Sequence, residues 1–69
     1  MKLSEKIVRL RKSRGMTQEE MAERCAATRQ SISKWEADIA LPETEKLLML
    51  SEIFGVSLDT LLRDERTLD

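Results

Sequence analysis

Apolar residues recur along this chain at intervals of three and four, the spacing that gathers them on one side of a helix. Leu3, Ile7 and Leu10, with Val8 at the edge, share a side of a segment running from about Ser4 to Arg14. Lys and Arg crowd its last turn, where cations suit the helix dipole, and Gly15 supplies a left-handed exit. A second segment opens at Thr17. Thr17 and Glu20 have the spacing of a capping box, hydroxyl to one unpaired N–H and carboxylate to another. Met21, Ala22 and Cys25 give this helix a narrow dry side. A third opens at Thr28, a favourable cap, and continues to about Ala37. Ile32, Trp35 and Glu36 fall on one of its sides; Arg29, Gln30, Ser33, Lys34 and Ala37 fall on the other. Leu41-Pro42 starts a fourth, with Pro in the first turn, where its missing N–H leaves nothing unpaired. Leu47, Leu48, Met49, Leu50, Ile53 and Phe54 make this the most apolar helix, expected at the centre, and Gly55 ends it. Ser57 caps a fifth, with Leu58, Leu61 and Leu62 in one dry stripe. After Arg63 the chain is charged and expected to fray. No internal repeat, low-complexity tract or flexible linker interrupts the series.

Sixty-nine residues make one small domain with a thin core. Two Gly, one Pro, two aromatics and no Tyr leave little material for a sheet, so the fold class is all-α, with five helices. A single cysteine, Cys25, allows no internal disulfide. The absence of histidine removes the commonest metal ligand and the commonest general base together. With no phosphate-cradling glycine loop and no metal-ligand cluster either, no enzyme, no cofactor and no metal is expected. Lys2, Glu5, Lys6 and Arg9 rule out a secretory signal at the N-terminus, and no apolar run approaches the roughly 20 residues that span a bilayer. A cytoplasmic location and no membrane partner are the expectation.

The net charge of −1 hides an asymmetry. Residues 1–36 hold nine Lys/Arg against five Glu, a net of +4; residues 37–69 hold three basic against eight acidic residues, a net of −5. A phosphate backbone responds to the field within about 10 Å, not to the whole-chain total. The wet side of the third helix carries fork-shaped and point-charge donors suited to base edges and adjacent phosphates.

Arg29-Gln30-Ser31-Ile32-Ser33-Lys34-Trp35-Glu36, preceded by Gln18-Glu19-Glu20-Met21-Ala22, resembles the helix-turn-helix of the lambda repressor and Cro and of the Xre-type bacterial regulators. Leu41-Pro42 and Ile53-Phe54-Gly55-Val56-Ser57-Leu58 extend the likeness, which runs from about Leu3 to Arg63. It implies a lambda-repressor-like bundle of five helices over residues 1–63, a helix-turn-helix DNA-binding domain, followed by a charged tail at 64–69. It implies a sequence-specific regulator of transcription, a repressor reading a two-fold operator as a homodimer on double-stranded DNA, at the nucleoid of a bacterium or phage-infected cell. Ala22 matches a small packing residue, and Ile32 and Trp35 match buried positions of the recognition helix. Gln18 matches a residue that pairs with phosphate. Thr28, Arg29, Gln30, Ser33 and Lys34 match positions that meet DNA. Arg29 or Lys34 would read guanine through O6 and N7, and Gln30 could read adenine bidentately. Arg11 and Glu36 match a pair that ties the first helix to the third.

The chain departs from the family at two places. Ala26 stands where a turn glycine is usual; a non-glycine residue at positive φ costs roughly 1 kcal/mol, so a differently shaped turn is expected. Ala37-Asp38-Ile39 replaces the usual Asn-Gly-Lys after the third helix, which removes a cation and adds Asp38. Phosphate affinity should fall there, or the loop should point elsewhere. Plainer roles fit other residues. The phase of Trp35 with Ile32 makes it core rather than a stacking platform. Cys25 on a dry side reads as an inert small hydrophobe, and the methionines as gap fillers. Glu19, Glu20 and Glu23 read as solvated faces. The acidic second half keeps open an alternative, an antitoxin-like module that binds a basic protein partner and also its own promoter. A helical adaptor that uses the fold without DNA is a further reading.

Overall fold

A computed structural model describes residues 1–68; Asp69, the last residue of the expected tail, lies outside the described residues. Five helices follow in order: α1 Leu3–Ser13, α2 Gln18–Arg24, α3 Arg29–Glu36, α4 Thr44–Phe54 and α5 Leu58–Leu62. No strand occurs among the described residues.

The caps read from the sequence close the starts of three helices. The Thr17 hydroxyl accepts from the Glu20 N–H at 3.0 Å while the Glu20 carboxylate accepts from the Thr17 N–H at 3.0 Å. The bond from the Thr17 N–H chiefly holds the Glu20 carboxyl below its usual range. Thr28 accepts from the Ser31 N–H, and Ser57 from the Thr60 N–H. The start of α4 differs from expectation. Leu41 and Pro42 belong to the preceding loop, and Glu43 is the cap residue, without a side-chain cap hydrogen bond. Pro42 is buried while Leu41 stands out in solvent. A loop proline packed against the bundle therefore replaces the helix-starting proline.

Four helices end in one device. An N–H two or three residues past the end reaches back to a carbonyl of the last turn: Met16 to Arg11, Ala27 to Ala22, Ile39 to Lys34 and Val56 to Ser51, at 2.8 to 3.2 Å. Each such closure holds one residue in the left-handed region. Those residues are Gly15, Ala26, Asp38 and Gly55, with φ between 51° and 65°. Ala26 thus takes the backbone strain, and the turn keeps its glycine-like shape.

The core draws on every helix. Ile7 and Leu10 come from α1, Met21 and Ala22 from α2 with Cys25 at its cap, Ile32 and Trp35 from α3, Leu50 and Phe54 from α4, and Leu61 from α5. α4 is one contributor among five rather than the centre, and its Leu48 faces outward. The expected stripe on α5 also splits, with Leu61 buried and Leu62 half exposed. The tail folds back: Leu68 rests against the core, and Arg66 bonds Asp59 at 3.2 Å.

Candidate nucleic-acid interface

The third helix is anchored by what it buries. Ile32 is fully enclosed and Trp35 nearly so, four and seven positions beyond the Thr28 cap. That phase turns Arg29, Gln30, Ser33 and Lys34 to solvent, where all four are exposed and together line one shallow hollow. Thr28 is exposed at the mouth of the helix, its hydroxyl occupied by the Ser31 N–H and 3.0 Å from the Ser31 hydroxyl. A second hollow adjoins the first and shares Arg29 with it; Arg11, Thr17, Gln18 and Glu19 complete its lining.

Beneath these hollows a polar network fixes the angle between the helices. Arg11 meets Glu36 in a two-pronged pair, Nε to Oε2 at 2.6 Å and Nη2 to Oε1 at 3.0 Å. Its third donor, Nη1, reaches the Met16 carbonyl at 2.9 Å. Hydrogen bonding to Glu36 outweighs burial and holds the Arg11 guanidinium above its ordinary value. Gln18 joins through its side-chain amide, Nε2 donating to Glu36 Oε1 at 3.0 Å. One Gln18 N–H is thereby committed to the protein, and an amide carries two. Glu36 gathers donors from α1 and α2 at the end of α3. Removing one partner of such a nearly buried pair typically costs about 3–5 kcal/mol, since the other charge is left uncompensated.

A residue that sequence reasoning passed over holds the turn itself. Lys46, on α4, donates from Nζ to the Cys25 carbonyl at 2.9 Å and the Ala26 carbonyl at 2.8 Å. Those carbonyls belong to the cap residue of α2 and the residue after it, where a cation suits the helix end. Sequence carried one weak signal, an isolated cation on the most apolar helix. Cys25 beneath it is fully enclosed, and burial pushes its thiol up. The loop after α3 also acquires a partner: Asp38, which stands where the family has a glycine, bonds Lys2 at 3.3 Å on an exposed surface. Among the described residues no group of three or more metal-ligating side chains forms, and no helix is long and apolar enough to cross a membrane.

With this geometry in place, the likeness to known proteins is informative. The helix-turn-helix family model matches residues 7–61. The transcriptional activator BcrR of Enterococcus faecalis is 40% identical over 65 residues, covering 94% of this chain and 32% of that protein. The P22 c2 repressor, solved with a synthetic operator, superposes with a TM-score of 0.88 at 29% identity, over 94% of this chain and 98% of that one. SinR, the master regulator for biofilm formation of Bacillus subtilis, solved with DNA, gives a TM-score of 0.79 at 27% identity, over 88% and 98% of the two chains. The chain spans between 32% and 55% of the full length of the curated relatives it matches. Its motif, its five-helix order and these likenesses agree: the chain belongs to the Xre-type, lambda-repressor-like family of helix-turn-helix transcriptional regulators.

Proposed function

We propose that this domain binds double-stranded DNA sequence-specifically, as two copies on a two-fold operator, and acts as a repressor. One observation carries the reading: Arg29, Gln30, Ser33 and Lys34 line a single exposed hollow on a helix whose opposite side is locked by Ile32 and Trp35. An anchored helix with long donors on its outer side suits the major groove, about 12 Å wide. Gln30 is the candidate reader of adenine, through N6 and N7, and Arg29 or Lys34 of guanine, through O6 and N7. Thr28, Ser33 and Gln18 flank these readers and are assigned to the backbone and adjoining base edges. The P22 c2 repressor and SinR, both solved with DNA, support the assignment. A bound domain represses by occupying the site that the transcription machinery needs. BcrR is an activator, so the sign of regulation follows where the site lies relative to the promoter.

Selecting bound duplexes from a random pool tests the reading. Enrichment of a two-fold motif, with half-sites about 10 base pairs apart centre to centre, is expected. A bound pool with no enriched motif contradicts it.

A further inference from the structure

Trp35 is the single tryptophan of the chain, and only 6% of it is exposed. Its indole N–H donates to no acceptor among the described residues, and no fully enclosed side-chain nitrogen there goes unpartnered, so the N–H reaches the surface. Trp35 meets open space at a hollow of about 290 Å³ between the turn after α2, the start of α3 and the start of α4. Other uncommitted groups line the same hollow. Lys46 gives two of its three ammonium N–H groups to the Cys25 and Ala26 carbonyls and keeps the third. Thr28 and Ser31 share one bond between their hydroxyls, which leaves one hydroxyl hydrogen free. Glu43 supplies a carboxylate that makes no cap bond, since Lys46, one turn on, is turned to the carbonyls.

We infer that this hollow binds a small α-amino acid as its zwitterion. The ligand carboxylate accepts from the Trp35 N–H, the third Lys46 N–H and the free hydroxyl, and the ligand ammonium donates to Glu43. Three donors and one carboxylate suit a ligand with both charges. A plain anion meets Glu43 uncompensated, and a plain amine leaves the donors unmet. Leu41, 74% exposed, and Ala26 offer an apolar wall to a short side chain, and the volume lies at the low end for ligand sites. The hollow includes none of Arg29, Gln30, Ser33 and Lys34, but it borders Thr28 at the mouth of the reading helix and Lys46, which holds the turn. A regulatory step follows, and this step rests on the DNA reading proposed above. The ligand takes the hydroxyl hydrogen that Thr28 offers to DNA, so amino acid and DNA oppose each other's binding.

A single tryptophan gives a single indole signal in a proton–nitrogen correlation spectrum, so the site reports on itself. L-Alanine, L-valine, propionate and ethylamine are titrated into the full chain at fixed salt, each to about 10 mM, well past half-saturation for a Kd of about 1 mM. A saturable shift of the Trp35 signal with either amino acid is expected, with a Kd about tenfold or more below those of propionate and ethylamine. Glu43→Gln and Ser31→Ala, neither of them a core residue, should each weaken that binding about fivefold or more. The absence of a saturable shift with both amino acids, equal affinity for propionate, or unchanged affinity in both variants overturns the proposal. Binding to a duplex selected from a random pool is then measured with and without the amino acid. A rise of about fivefold in the Kd for DNA is expected. An unchanged Kd in a chain whose Trp35 signal saturates overturns the regulatory step. A chain that selects no duplex indicts the DNA reading, while the titration still decides the ligand site.

Discussion

Ala26 and Asp38 hold the same left-handed conformation as Gly15 and Gly55, and neither has glycine's freedom. A Cβ in that region crowds the following carbonyl and costs roughly 1 kcal/mol. Asp tolerates it better than Ala, and the Asp38 carboxylate also gains Lys2. Ala26 has no such compensation of its own; the closure of the turn over-determines it, through the Ala27 N–H on the Ala22 carbonyl and through Lys46. Ala26→Gly is therefore expected to raise stability by about 0.5 kcal/mol, the strain relieved less the added freedom of the unfolded chain. Gly55→Ala should lower it by a similar amount, because nothing stands within 4 Å of an added Cβ and the penalty is conformational alone. Urea midpoints of both variants check the pair; an Ala26→Gly midpoint at or below that of the native chain refutes the strain assignment.

At the scale of elements, helix ends are held from a distance. Lys6, with no exposed surface, donates to the Thr60 carbonyl of α5 and the carbonyl of its cap residue Arg63, 54 and 57 residues on. Arg14 donates to the Phe54 carbonyl at the end of α4 at 3.0 Å and lies over the Phe54 ring. Lys46 does the same for α2. Lys46→Met keeps the aliphatic stem and removes both hydrogen bonds, so a loss of about 1–2 kcal/mol is expected, discounted for partial exposure. Because those bonds fix the turn between α2 and α3, DNA affinity should fall further than stability alone explains; denaturation and binding measured on the same variant separate the two. Unchanged affinity in a destabilised variant would contradict a positioning role. These contacts also mark where sequence reading stops. Thr17, Glu20, Thr28 and Ser57 announce themselves because a cap and its helix are neighbours in the chain. The inward sides of α1, α2 and α3 are legible because a period of 3.6 is a local property. A cation reaching carbonyls fifty residues away has no local signature, and Lys6 in the sequence looks like any surface lysine. Leu62 and Pro42 fail for a related reason: which side of a one-turn helix, or of a loop, is buried depends on what packs against it. The Arg11–Glu36 pair is legible through resemblance to a family, not through spacing.

At the scale of the molecule, the fold redistributes the charge. Of nine cations in residues 1–36, Lys6, Arg11 and Arg14 are spent on interior carbonyls and Glu36, and Lys2 on Asp38. Arg9, Lys12, Arg24, Arg29 and Lys34 remain exposed, two of them on α3. Bonds to carbonyls leave the charges of Lys6 and Arg14 in place, and Glu36 is already within the net of +4; only Asp38, opposite Lys2, lowers it further. On the proposed reading, sequence preference rests on the outer side of α3, with Arg29 and Lys34 exposed there, rather than on a broad positive field. The base-preference profile of Gln30→Ala against the native chain, measured on the selected duplex at fixed salt, tests it most directly. Gln30 supports no core contact, so stability should hold while discrimination falls by about 1–3 kcal/mol at one base position and its two-fold mate. A profile unchanged at every position, or a uniform loss across all sequences, would mean that Gln30 does not read bases and that α3 does not enter the groove as described.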